Sequence, residues 1–256
     1  MLADSHCHLD QFPDEDLPEI IGRAEEAGVA AMIVAGTTLE SSRRCVALAE
    51  RHPSLYAGVG AHPTDLESAF DDEAYARFRE LALSSPKVVV VSETGLDYLE
   101  TSPDRNLQDA AFRQQIRLAR DIGLPVVFHS REAHEDVLKV LMEERVWEVG
   151  GIFHYFQGDQ ATAVAAIEMG LCISLARPLL RLPELQEVAR KIPLGSIVLE
   201  SDSFPQPFKK HRHNWTEPRH VAEVAERLAE LRGIEVAEVM ETTTANLREV
   251  TKGRLG

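Results

Sequence analysis

Eight short apolar runs, rich in β-branched residues and each followed by a stretch with helical spacing, limit this chain more than any other feature. They lie at residues 1–7, 29–35, 55–61, 87–92, 125–129, 151–154, 170–175 and 196–199. Strand patterns that alternate with helix patterns build parallel βαβ units. Continuous runs such as Val88-Val89-Val90-Val91 suit strands buried on both faces. The punctuation agrees. Asp16 with Glu19 forms a capping box and Gly28 can close that helix. Ser102-Pro103 reads as a helix cap with proline at the first turn, and Gly123 ends the same helix. Val221, Val224, Ala225, Leu228 and Leu231 make one apolar stripe, and a last helix is expected over 236–250. Eight units in 256 residues match a (β/α)8 TIM barrel, which needs about 250. An open doubly wound sheet is the alternative; polar residues at the ends of the runs favour the closed barrel. With no repeat, linker or low-complexity tract, residues 1–256 read as a single α/β domain.

No apolar run reaches the roughly 20 residues of a membrane span. The first residues lack the pattern of a signal peptide, so cytoplasm is the default expectation. Cys7, Cys45 and Cys172 are scattered and read as reduced thiols. The net charge of −15 excludes a broad basic face. A nucleic-acid substrate must be held locally, by metals or a few cations.

The chemistry-bearing residues stand at the ends of the runs. His6 and His8 flank Cys7, and strand alternation points both imidazoles the same way. In a barrel that way is the C-terminal mouth, where such folds place their sites. Asp4, two residues earlier, is positioned to orient one of them. Glu93, His129, His154 and Asp202 follow four more runs. Each alone reads equally as a helix cap or a hydrogen-bonded core histidine. Converging on one cavity, charged groups need partners, and a metal supplies one. A structural zinc takes four ligands, often cysteine. Six without sulfur point to two ions. The mixture suits zinc, manganese, iron or cobalt, while magnesium prefers oxygen. Two ions roughly 3.5–4 Å apart acidify a water and clamp both oxygens of an in-line displacement.

These residues resemble the TatD-type metal-dependent deoxyribonucleases of the amidohydrolase superfamily. The matching signatures are Asp4-Ser5-His6-Cys7-His8-Leu9-Asp10, Gly60-Ala61-His62-Pro63, Glu93-Thr94-Gly95-Leu96-Asp97-Tyr98, His129-Ser130-Arg131, His154-Tyr155-Phe156-Gln157-Gly158 and Glu200-Ser201-Asp202. Asn214, Glu217-Pro218, Leu228-Ala229-Glu230-Leu231-Arg232-Gly233 and Thr243-Thr244-Ala245-Asn246 extend the match. The resemblance implies that His6, His8 and Asp202 bind one metal, that His129 and His154 bind the other, and that Glu93 bridges them. It implies phosphodiester hydrolysis, with trimming of single-stranded DNA from the 3′ end as the associated activity. The chain departs from the family pattern at Ser92 and Thr94 around Glu93, at Tyr155 where the family has cysteine, at Ser201 in place of threonine, and over 203–207.

The expected cofactors are therefore two divalent ions, Mg, Mn or Zn, and the expected substrate is a DNA or oligonucleotide end. No membrane and no obligate protein partner is indicated. Asp202 is the expected base for the attacking water, and Glu93 the second catalytic carboxylate. His62 and Arg131 are assigned to a substrate phosphate. For Arg131 a salt bridge to Glu132 or Glu135 stands as the alternative. Lys209, Lys210 and Arg212, in the basic run 209–213, read either as a local phosphate grip or as a solvated loop. Two other functions remain open: a metal-dependent amide or ester hydrolase on a small substrate or an aminoacylated nucleotide, and a non-catalytic metal-binding scaffold.

Overall fold

Eight strands pair in parallel in their order along the chain, the arrangement of a barrel rather than of a doubly wound sheet. The computed structural model describes residues 1–255; the side chain of His213, the last member of the basic run, lies outside that description. The elements are β1 (Leu2–Cys7), α1 (Leu17–Glu26), β2 (Val29–Ala35), α2 (Leu39–Arg51), β3 (Leu55–Gly58), α3 (Asp72–Leu83), β4 (Val88–Asp97), α4 (Arg105–Ile122) and β5 (Val126–Arg131). They continue through α5 (His134–Glu143), β6 (Gly151–Phe153), α6 (Gln160–Glu168), β7 (Leu171–Leu175), α7 (Pro183–Lys191), β8 (Ile197–Leu199), α8 (Val221–Arg232) and α9 (Val236–Val250).

Two layers of apolar packing hold the barrel. Ala3, Ile33, Val89, Val127, Ile152 and Val198 form one cluster with the half-buried Tyr56 and Cys172. Side chains from all eight strands can meet only inside the barrel. Leu247 and Leu255 join that cluster from the C-terminal segment and stopper its floor. The larger cluster packs the outer faces of the strands on the helices, with Phe112, Phe128 and Phe153 fully buried. On β5, β6 and β8 simple alternation then sets the mouth. Two residues beyond Val127, Ile152 and Val198 come His129, His154 and Glu200.

Helix ends explain part of the layout and correct two expectations. Gly28 and Gly123 adopt left-handed backbone just past α1 and α4. Asp16, however, makes no side-chain cap to α1; Arg212 pairs with its carboxylate instead. The cap of α4 is Asp104, which accepts from the N–H groups of Asn106 and Leu107, and Ser102 instead donates its hydroxyl to Asp97.

The meeting of β1 with β8 is irregular. Three backbone N–H groups close it at the mouth. The Ser201 N–H donates to the Asp4 carboxylate at 2.9 Å, the Asp202 N–H to the His6 carbonyl at 3.0 Å, and the His8 N–H to the Ser203 carbonyl at 2.8 Å.

Candidate metal centre

Glu93 is the hub. Its buried carboxylate turns Oε2 toward His6 and His8, with Nε2 atoms at 3.3 and 3.5 Å. Its Oε1 faces His62, His129 and His154 at 3.4, 3.5 and 3.4 Å. Asp202 closes the first group, 3.5 Å from His8 Nε2. The structure thus brings all six residues expected as metal ligands to one place. It adds His62, expected only as a phosphate contact, to the Oε1 group with Glu93 and His129.

The strands position these groups through local irregularity as much as through alternation. Between Asp4 and Cys7 the register of β1 on β2 shifts. His6 and His8 therefore face the centre, while Asp4 turns into the seam with β8. There Asp4 accepts from the Ser201 N–H, the Ser201 hydroxyl and the His6 N–H. The expectation that Asp4 orients an imidazole is corrected on that ground. Asp202 has a left-handed backbone, φ +47°, which swings its carboxylate over the mouth. On β4, Gly95 lies where a Cβ would stand 2.1 Å from the His129 carbonyl oxygen. Only glycine lets the two strands approach that closely beside the site.

Outer partners fix most of the imidazoles. His129 Nε2 meets Asp97 at 2.9 Å, leaving Nδ1 toward Glu93. His154 Nδ1 meets Glu200 at 3.0 Å, leaving Nε2 toward Glu93. His8 Nδ1 meets the Ala35 carbonyl at 3.2 Å. Such partners set the tautomer and orientation of a metal-binding histidine. Asp97 and Glu200 carry these roles, and the sequence reading assigned them none. For Glu200 the signal was present, since it directly follows the apolar run 197–199; Asp97 lies six residues beyond Val91 and carried no such mark. Arg131 contacts Asp97 at 3.4 Å rather than Glu132 or Glu135, and its half-exposed side chain lines the cavity.

Electrostatics follow from this crowding. Burial would raise the Glu93 carboxyl, but the charges of His62, His154 and His6 and a hydrogen bond with His129 hold it well below the usual range. Against the same opposing effect of burial, contact with His8 and the charges of His154, His8 and His6 hold Asp202 at about 2. Burial would lower both His8 and His154, yet neighbouring carboxylates outweigh it. Asp202 and Glu93 lift His8 to about 9, and Glu200 and Glu93 lift His154 to about 10. Asp4, lacking a cation, is pushed up to about 8 by burial. Separations of 3.3–3.5 Å around Glu93 are long for hydrogen bonds. They match neighbouring ligands that each lie roughly 2.0–2.2 Å from one ion. The donor set and its spacing fit divalent metal.

The centre opens into a cavity of about 410 Å³, lined also by Thr37, Tyr155 and Phe204. Lys209, Lys210 and Arg212 do not line it. The Lys209 ammonium donates to the Asn214 carbonyl, Lys210 is exposed, and Arg212 stacks beside Trp215 while pairing with Asp16. No helix among the described residues is long and apolar enough to cross a membrane.

Comparison with known proteins agrees with this geometry. A metal-dependent hydrolase of Bacillus subtilis, YabD, is 35% identical over 98% of this chain and 98% of its own length. The Cronobacter sakazakii protein named 3′-5′ ssDNA/RNA exonuclease TatD is 34% identical over 91% of this chain and 90% of its own. The crystal structure of the TatD homologue YjjV from Escherichia coli K12 superposes with a TM-score of 0.88 at 31% identity, covering 97% of each chain. The family model described as TatD related DNase matches residues 3–252. With eight parallel strands, a mouth that gathers histidines and carboxylates, and these relatives over nearly its whole length, the chain belongs to the TatD-related DNase family of metal-dependent hydrolases.

Proposed function

We propose that this protein is a divalent-metal-dependent deoxyribonuclease that trims single-stranded DNA from its 3′ end. The observation that carries the reading is Glu93, which offers one oxygen to His6 and His8 and the other to His129 and His154. That division supports a bridging carboxylate between two ions, one held with His6, His8 and Asp202, the other with His129 and His154. Ions bound there would acidify a water and neutralise charge on the phosphoryl oxygens. The chain supplies the rest. Asp202, ionised and at the open edge of the group, accepts the proton of the attacking water. Arg131 offers its guanidinium to a phosphate oxygen from across the cavity, held from behind by Asp97. His62 is placed either beside that phosphate or as a further ligand on the Oε1 side.

The test is an end-labelled single-stranded oligonucleotide incubated with the protein in EDTA, Mg²⁺, Mn²⁺ or Zn²⁺, beside His129→Ala. Metal-dependent shortening from the 3′ end that the variant lacks is expected. No shortening by folded, metal-loaded protein would turn the reading to a metal-dependent amide or ester hydrolase. One observation favours that second reading: the lysines of the basic loop stay off the cavity, leaving Arg131 as its one Lys or Arg side chain among the described residues. Parallel assays on N-acyl and ester substrates separate the two.

A further inference from the structure

We propose that the Tyr155 hydroxyl donates a hydrogen bond to a non-bridging phosphate oxygen of the substrate. The inference rests on the phosphodiesterase reading above. Tyr155 follows His154 directly, and regular strand alternation would turn it to the opposite side. Instead its backbone is left-handed, φ +46°, and its side chain lines the cavity. A bulky residue rarely adopts this conformation, and such outliers persist where the surroundings impose them.

The surroundings here are specific. The Tyr155 N–H donates to Glu200 Oε1 at 2.8 Å. The same fully buried carboxylate holds His154 Nδ1. On the other side, the Phe156 N–H donates to the Ser174 carbonyl at 3.1 Å, and the Phe156 ring packs edge-on against Phe153 with centroids 4.9 Å apart. Both neighbours of Tyr155 are thus anchored, and the turn between them has little freedom. Among the described residues no protein group hydrogen-bonds the phenol. The Tyr155 side chain lines the same cavity as Asp202 and Arg131, the proposed base and the proposed phosphate contact. A phosphate held by Arg131 in this cavity faces a wall that the Tyr155 side chain shares. A phenol is a donor that fits an anionic oxygen without adding charge to the site.

Tyr155→Phe keeps the ring and removes the donor; Tyr155→Ala removes both. Each Mn²⁺-loaded protein is assayed on a single-stranded oligonucleotide, with metal content, melting temperature and the affinity for deoxythymidine monophosphate by calorimetry. Tyr155→Phe should lower kcat/KM by roughly 10- to 100-fold and weaken nucleotide binding by about 10-fold, with metal content and melting temperature unchanged. On one phosphorothioate diastereomer the defect should shrink, because sulfur accepts hydrogen bonds poorly. Wild-type behaviour of Tyr155→Phe beside a defective Tyr155→Ala overturns the proposal and makes the ring a packing or stacking surface. A loss that tracks lower metal content overturns it too. If the wild type binds the nucleotide but cleaves no oligonucleotide, the exonuclease reading falls, and the binding comparison alone decides the phenol's contact.

Discussion

His129 shows how far a single residue's chemistry depends on the one behind it. Its Nε2 rests on Asp97, and Asp97 also receives the Ser102 hydroxyl, the Leu99 N–H and the Arg131 guanidinium. One carboxylate therefore holds the imidazole proposed to bind metal and the cation proposed to bind phosphate in fixed relation. Replacing it by asparagine should cost roughly 10–100-fold in metal affinity or turnover. Competition with a coloured chelator measures the first, and an unchanged affinity would show that the contact does not orient His129. At this scale the residues that gather at the centre were legible because each is a polar residue at or just beyond the end of an apolar run. Glu200 carried the same mark, but a carboxylate proposed to ligate and one that braces an imidazole look alike in sequence. Asp4 was misread for a different reason. The register shift that turns it into the seam leaves no trace in residue types.

Among the elements, β4 departs most from its sequence pattern. The apolar run stops at residue 91, yet the strand continues to Asp97, pairing Gly95 with His129 and Asp97 with Arg131. The strand was expected only over 87–92, yet Glu93, Thr94 and Gly95 continue it and are buried. On β3 the reverse holds. Its pairing ends at Gly58, where the apolar pattern ran on to 61, and the next glycine passes against the backbone of Ser92. Lengths of strands were thus readable where hydrophobic burial sets them and unreadable where the metal centre does. Gly95→Ala places a methyl group on the His129 carbonyl in a backbone that L-residues rarely adopt. It should cost roughly 3 kcal/mol or more, read from denaturant unfolding. A loss below about 1 kcal/mol would mean that β4 and β5 can separate there without consequence.

Across the whole molecule, closure depends on the seam between β1 and β8. Asp4→Ala removes the acceptor for two backbone N–H groups and one hydroxyl in a fully buried place. It should lower stability by about 2–3 kcal/mol and loosen Asp202. Hydrogen exchange at Ser201 tests it, since protection equal to wild type is incompatible with that role. Metal binding should depend on pH with a definite sign. His8 and His154, raised to about 9 and about 10, hold protons at neutral pH, and an ion must displace them. Apparent metal affinity should therefore climb from pH 6 to 8, and calorimetry in buffers of different ionisation enthalpy should record proton release. A flat profile would mean these imidazoles do not ligate.

The seam has a consequence for how the protein is made. Asp4 and Ser201 lie 197 positions apart. At roughly 5–20 residues per second, about 10–40 s separate their emergence from the ribosome. Throughout that interval His6 and His8 lack Asp202, and the first half of the barrel presents an open edge at β1. On the proposed ligand set, the chelate that begins with His6 and His8 is complete only once the β8 end of the barrel has followed β1 out of the ribosome.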